Sequence, residues 1–150
     1  MDAHSNFAIT TVAVAPIPAT SGHSLVVATG TAVLFPTPPW NATVFPADAQ
    51  PSATNAEIVR VTNIVMDTLT FTRGQENSGQ RSIVVGDRIA ATITARTFSD
   101  IESLITASLP LTGSVDPNGA VTGAVGQIYV QVSGGVATIW VNTTGLQVWV

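Results

Sequence analysis

Cysteine is absent from the 150 residues, which excludes a disulfide framework, a thiolate nucleophile and a zinc–thiolate centre. Lysine is absent as well. The five basic residues are all arginine and lie scattered, and nine carboxylates bring the formal net charge to -4. A surface that neutralises phosphates needs clustered basic residues, so nucleic acid is not an expected partner. Charged residues make up only 9% of the chain, against about 25% in an ordinary domain. Long apolar runs are missing too. Phe7 to Ala15 is interrupted by threonines and closed by Pro16 and Pro18, far short of the ~20 residues that cross a bilayer. No membrane partner is therefore expected. Met1 to Asn6 has no basic segment leading into an apolar core, so no export signal is expected and synthesis in a cytoplasm is.

What is present is apolar and β-prone. Hydrophobic residues reach 45%, too many for a disordered chain. A free monomer normally carries surface charge to stay apart from its copies. A chain that buries surface against itself or a larger assembly needs less, so self-association is expected.

Strand signals run from the start. Phe7 to Val14 is β-prone and stops at the proline pair, and Leu25-Val26-Val27 is a short strand. The prolines in Phe35-Pro36-Thr37-Pro38-Pro39 remove ladder donors, and Asn41 to Phe45 resumes the strand pattern. The clearest element is a hairpin. Along Glu57 to Ile64, Arg60 and Thr62 share a side that excludes Val59 and Val61. Across Thr68 to Arg73, Leu69 and Phe71 alternate with threonines, the period of two of a half-buried strand. Val65-Met66-Asp67 is the turn between them. Ile83 to Val85 is read as a brief strand and Arg88 to Ala95 as a longer one.

Ser99-Asp100-Ile101-Glu102 fits a capping box, which predicts one short helix over 99–109, limited by Pro110. After it, Gln127 to Val132, Val136 to Val141 and Leu146 to Val150 alternate with turn signals. The expected fold is mainly β: a barrel or sandwich over 1–98, a helical joint over 99–109 and a small β meander over 110–150. Three strands with no second layer are marginal alone, so the meander is expected to pack on something.

Candidate chemistry is sparse. His4 and His23 are the only histidines, and no Gly-x-Ser-x-Gly or His-Glu-x-x-His pattern occurs. Asp116-Pro117-Asn118-Gly119 begins like a calcium loop but lacks its closing glutamate and reads as a turn. No cofactor or metal is expected. Should an ion sit on a symmetry axis, Asp116, Asn118, Asp87 and Glu76 are the first ligands to consider. Asp48, Glu57, Glu76 and Asp87 form no recognisable acid–base pair. Asn41-Ala42-Thr43 and Asn142-Thr143-Thr144 fit the glycosylation pattern, read here as chance. The densest polar chemistry is Arg73 to Arg81, readable as a partner surface or as an internal network in which Glu76 pairs with Arg73 or Arg81. The interface candidates are Trp40, Arg73, Gln75, Glu76, Arg81, Trp140 and Trp149.

Several stretches carry a resemblance. They are Asn6 to Val12, the Pro-Ala-Thr-Ser-Gly at 18–22, Leu25-Val26-Val27, Phe35-Pro36, Pro39 to Val44 and Ala56 to Thr62. The most specific are Thr70-Phe71-Thr72-Arg73-x-Gln75-Glu76, Val85-Gly86-Asp87 and Ile89 to Ala95. Together, from Asn6 to about Glu102, they resemble a module of virion structural proteins of tailed bacteriophages. The run from Asp116 through Ile128-Tyr129-Val130 to Trp140-Val141 is similar to small β repeats of phage fibres and appendages. The resemblance implies a non-enzymatic virion component of a fibre, tail or capsid decoration. It would be assembled in the host cytoplasm as a homotrimer against other virion proteins. It transfers no active-site residue. The rival expectation is a carbohydrate-binding β module displaying Trp40 and the polar loops to a host surface glycan.

Overall fold

The computed structural model describes residues 2–150. The chain divides into two units, 1–99 and 100–150. The first is a closed antiparallel barrel of six strands: β1 (Ile9–Val14), β2 (Ser24–Val27), β3 (Trp40–Phe45), β4 (Glu57–Val65), β5 (Thr68–Thr72) and β6 (Arg88–Ala90). Their order around the barrel is β1-β2-β5-β4-β3-β6. Closure removes the free strand edges that an open sheet would expose.

The period of two decides which side chains fill the barrel. Val59 and Val61 of β4 and Leu69 and Phe71 of β5 are buried, with Val61 opposite Phe71 and Ile64 opposite Leu69. The register slips between Val61 and Asn63, so Thr62 is the extra residue of a bulge. Met66 and Asp67 make the turn, and the Asp67 carboxylate accepts the amides of Gly30 and Ala32. Val12, Leu25, Val27, Ala42, Val44 and Ile89 complete the apolar interior. Trp40 joins them: its ring stacks on Phe35 at 5.0 Å and its indole N–H donates to the Pro36 carbonyl.

Ile83 to Val85 is not a strand. Ile83 plugs the barrel from a loop, its amide bonded to the Ala19 carbonyl. The strand expected over Arg88 to Ala95 ends at Ala90. The cause is the helix, α1 (Ala95–Ser108), which begins four residues earlier than the capping box predicts. Ser99 therefore lies inside the helix and caps nothing. The Thr97 hydroxyl accepts the Thr94 amide at the true start, and the Glu76 carboxylate, from a distant loop, accepts the Arg96 amide. An anion at a helix N-terminus meets unpaired amides and the positive end of the dipole.

The second unit holds a three-stranded sheet, β7 (Leu111–Gly113), β8 (Ile128–Ser133) and β9 (Val136–Val141), in that order. The β8–β9 hairpin is as expected, but the third strand is β7, parallel to β8. Leu146 to Val150 is not a full strand. It meets β9 through reciprocal bonds between Val141 and Val150 and a bridge from Asn142 to Trp149. Its Gln147 and Leu146 carbonyls accept Gly119 and Gly123, its Val148 carbonyl accepts Thr143, and the Trp149 amide donates to the Asn118 side chain.

Candidate functional site

Loop 73–81 follows β5 directly, and its polar groups turn inward. Glu57 opens β4 on the same face as Val59 and Val61, so alternation carries a carboxylate into the barrel end, where it is fully buried. Its Oε1 accepts Arg73 Nε at 2.8 Å and the Gly74 amide at 2.9 Å. Its Oε2 accepts Arg73 Nη2 at 2.6 Å and the Arg81 amide at 3.0 Å. The Arg73 guanidinium also donates to the carbonyls of Ala19, Gly22 and Arg81. Burial works against the Glu57 charge, but the guanidinium and the two amides outweigh it and hold the carboxyl below its usual range.

The other charges of this region are engaged in the same way. Arg81 pairs with Asp87 at 2.7 Å, and that carboxylate also accepts the Val84 amide. Burial opposes the charge of Glu76 as well. The neighbouring Thr94 hydroxyl, with hydrogen bonds from Asn41 and the Arg96 amide, prevails and lowers its pKa. The Asn41 carbonyl in turn accepts Arg60, which clamps Asp2 with both terminal nitrogens. That clamp lowers the Asp2 pKa. The internal network expected for this loop is therefore present, with different partners. Glu76 pairs with neither Arg73 nor Arg81; Glu57 and Asp87 take those places.

Glu76 and Asn77 hold backbone φ of 53° and 60° beside Gly74 at 61°, a run of left-handed residues that non-glycine side chains resist. The conformation is over-determined by bonds on every side, among them the Ser78 hydroxyl, which accepts the Ile58 amide and donates to the Gln75 carbonyl. Gln75 donates to the Arg73 carbonyl. An open groove of about 430 Å³ runs beside this loop, lined by Thr43, Ser52, Ile58, Glu76 and Ser78 among others. Among the described residues, Glu76 is the carboxylate that lines it, and no imidazole does. That carboxylate already accepts Asn41 and the Arg96 amide.

The tryptophans separate from this cluster. Trp40 is only 2% exposed, so it presents no platform to a glycan and no surface to a partner. Trp149 is buried against Tyr129, ring centroids 5.7 Å apart, and donates to the Val121 carbonyl. Trp140, half-buried on β9, donates to Gln131 of β8. Of the four fallback ion ligands, Asp87 and Glu76 are used as above, Asp116 accepts the Asn118 amide, and Asn118 accepts the Trp149 amide. Among the described residues, no three His, Cys, Asp or Glu side chains are placed to hold a metal ion.

The sequence expectations leave Glu57 outside the Arg73 to Arg81 network. The signal that finds it is its phase: it stands two residues before Val59 on the apolar side of β4. Asn41, Arg60 and Asp2 had no comparable signal, because their partners lie 19 to 58 residues away. Compared with known proteins, the chain matches no family model and no curated protein.

Proposed function

We propose that this chain is a structural subunit of a bacteriophage virion, acting through protein–protein contacts in a fibre, tail or capsid-decoration assembly. It would assemble as a homotrimer alongside other virion proteins. The observation that carries the assembly role is the placement of charge. In a chain with 9% charged residues, three ion pairs are closed inside the barrel unit. Large apolar side chains such as Phe7, Ile17, Met66 and Ile139 meanwhile stand in the open. A surface so poor in charge and so rich in apolar side chains suits permanent contact more than solitary diffusion. The virion setting rests on the resemblance of residues 6–102. The glycan reading has lost its platform with Trp40 in the core.

The test is composition of the particle. Gradient-purified virions from the source, analysed by mass spectrometry, should contain this chain in fixed stoichiometry after high-salt washing. Its absence from infectious, washed particles would overturn the proposal.

A further inference from the structure

The second unit is short of a core. Across residues 100–150 the large buried apolar side chains are Tyr129 and Trp149, joined by Pro117, whereas thirteen large ones are exposed. Two aromatics cannot stabilise some fifty residues by burial alone. The exposed side chains are also organised. Because Ile128 faces Val141, Val130 faces Ile139 and Val132 faces Ala137 across the hairpin, all six project from one face of the β8–β9 pair. That face is wholly apolar, and Ile139, near its centre, is 67% exposed. Val150 pairs with the outer edge of β9 at Val141; from Val136 to Trp140 that edge carries no proline, no charge and no bulge, none of the sequence devices that keep edges from pairing. Helix α1 repeats the pattern. It buries no residue, and Ile101, Leu104, Ile105 and Leu109 fall within roughly 140° of arc.

We infer that copies of this chain pack on one another through the β8–β9 apolar face, with the α1 stripe buried in the same association. This rests on the reading of the chain as an assembly subunit and names the surface that assembles. Two arguments choose a second copy over a different protein. The first is area. From their fractional exposures, the apolar residues of this face and stripe offer roughly 600–700 Å² per copy, within the ~600–1,000 Å² per partner of stable interfaces. The second is charge. Residues 117–150, which carry the β8–β9 face, contain no Asp, Glu, Lys, Arg or His, so symmetry across that face brings no like charges together. The same absence leaves nothing to steer or select a foreign partner.

The test uses the full chain, whose lack of cysteine makes single-cysteine reporters clean. Sedimentation velocity should show an oligomer at micromolar concentration. The Val132→Glu/Ile139→Glu variant should sediment as a monomer with the near-UV circular dichroism of the barrel retained, and Met66→Glu, on the barrel's β4–β5 turn, should stay oligomeric. Should the double variant misfold, Ile139→Cys answers instead. Mild oxidation should link it into covalent pairs well above the level of Met66→Cys. A wild type that remains monomeric at high micromolar concentration would overturn the inference, as would a folded double variant of unchanged mass or equal linking by both cysteines. Virion composition is a separate measurement, so failure of the particle experiment and failure of this face are told apart.

Discussion

Glu57 is the side chain whose alteration tests the barrel reading most directly. Glu57→Gln preserves volume and one carbonyl oxygen, which can still accept Arg73 Nε and the Gly74 amide. The new NH₂ group then faces Arg73 Nη2 and the Arg81 amide, at positions where the carboxylate accepts at 2.6 and 3.0 Å. Donors meet donors. The guanidinium, whose side chain is 1% exposed, keeps its charge and loses its counter-charge. Removing one partner of a buried pair costs about 3–5 kcal/mol, a large share of the ~5–15 kcal/mol that holds a domain folded. With a urea slope of ~1–3 kcal/mol per molar, the unfolding midpoint should fall by roughly 2 M.

Acid adds a second readout. The Glu57 carboxyl is held below its usual value of 4.5 in the folded chain, so the unfolded chain takes up that proton first. The stability it contributes is complete above the unfolded value and is lost as the pH falls toward the folded one. Denaturant midpoints followed by near-UV circular dichroism should therefore decline below about pH 4.5, and decline less steeply in Glu57→Gln. A cost under ~1 kcal/mol, the scale of an exposed pair, or an acid slope unchanged by the substitution, would refute the reasoning.

Three further substitutions have defined outcomes. Ser99→Ala, at an exposed position inside α1, should leave the chain unchanged or stabilise it by up to ~0.5 kcal/mol through helix propensity; a loss of 1 kcal/mol in thermal unfolding would restore Ser99 as the cap. Gly123→Ala would place a Cβ 2.6 Å from the Trp149 ring, and overpacking of this kind costs ~1–3 kcal/mol, visible as altered tryptophan fluorescence in the second unit. Trp40→Ala, removing a ring stacked on Phe35 inside the barrel, should cost ~3–5 kcal/mol of stability, measured by urea denaturation.

How far the sequence could be read depended on whether a feature was local. The β4–β5 hairpin was legible because Leu69, Phe71, Val59 and Val61 repeat at the period of a pleated strand, and the β8–β9 hairpin because Ser133-Gly134-Gly135 separates two such runs. Closure into a barrel left no local trace: it depends on β6 pairing with both β1 and β3. The helix start was misread for the same reason. Ser99 and Glu102 carry the right residue types at the right spacing, yet the free amides at the helix start are served by Thr97 and by Glu76, twenty residues upstream of Arg96. The candidate loop was found by its density of polar residues, but density does not give direction. Arg73 and Glu76 face inward because Glu57 and Asn41 are already there.

That inward orientation bears on the rest of the surface. Asp2, Glu57, Arg60, Asp67, Arg73, Glu76, Arg81 and Asp87 each bond to backbone or side-chain groups of the barrel unit. Those bonds order the 73–81 loop, the β4–β5 turn and the first residues. Each charge used in this way is partly withdrawn from solvent, and the sequence supplies only fourteen. Residues 100–150 are left with three carboxylates, Asp100, Glu102 and Asp116, and no basic group. A sheet face of Ile128, Val130, Val132, Ala137, Ile139 and Val141 cannot be kept apart from its copies by charges that are not there. Burial is the remaining way to remove that face from water. The economy of charge in the first unit and the bare apolar face in the second both favour the proposed association, in which the chain is completed by its copies.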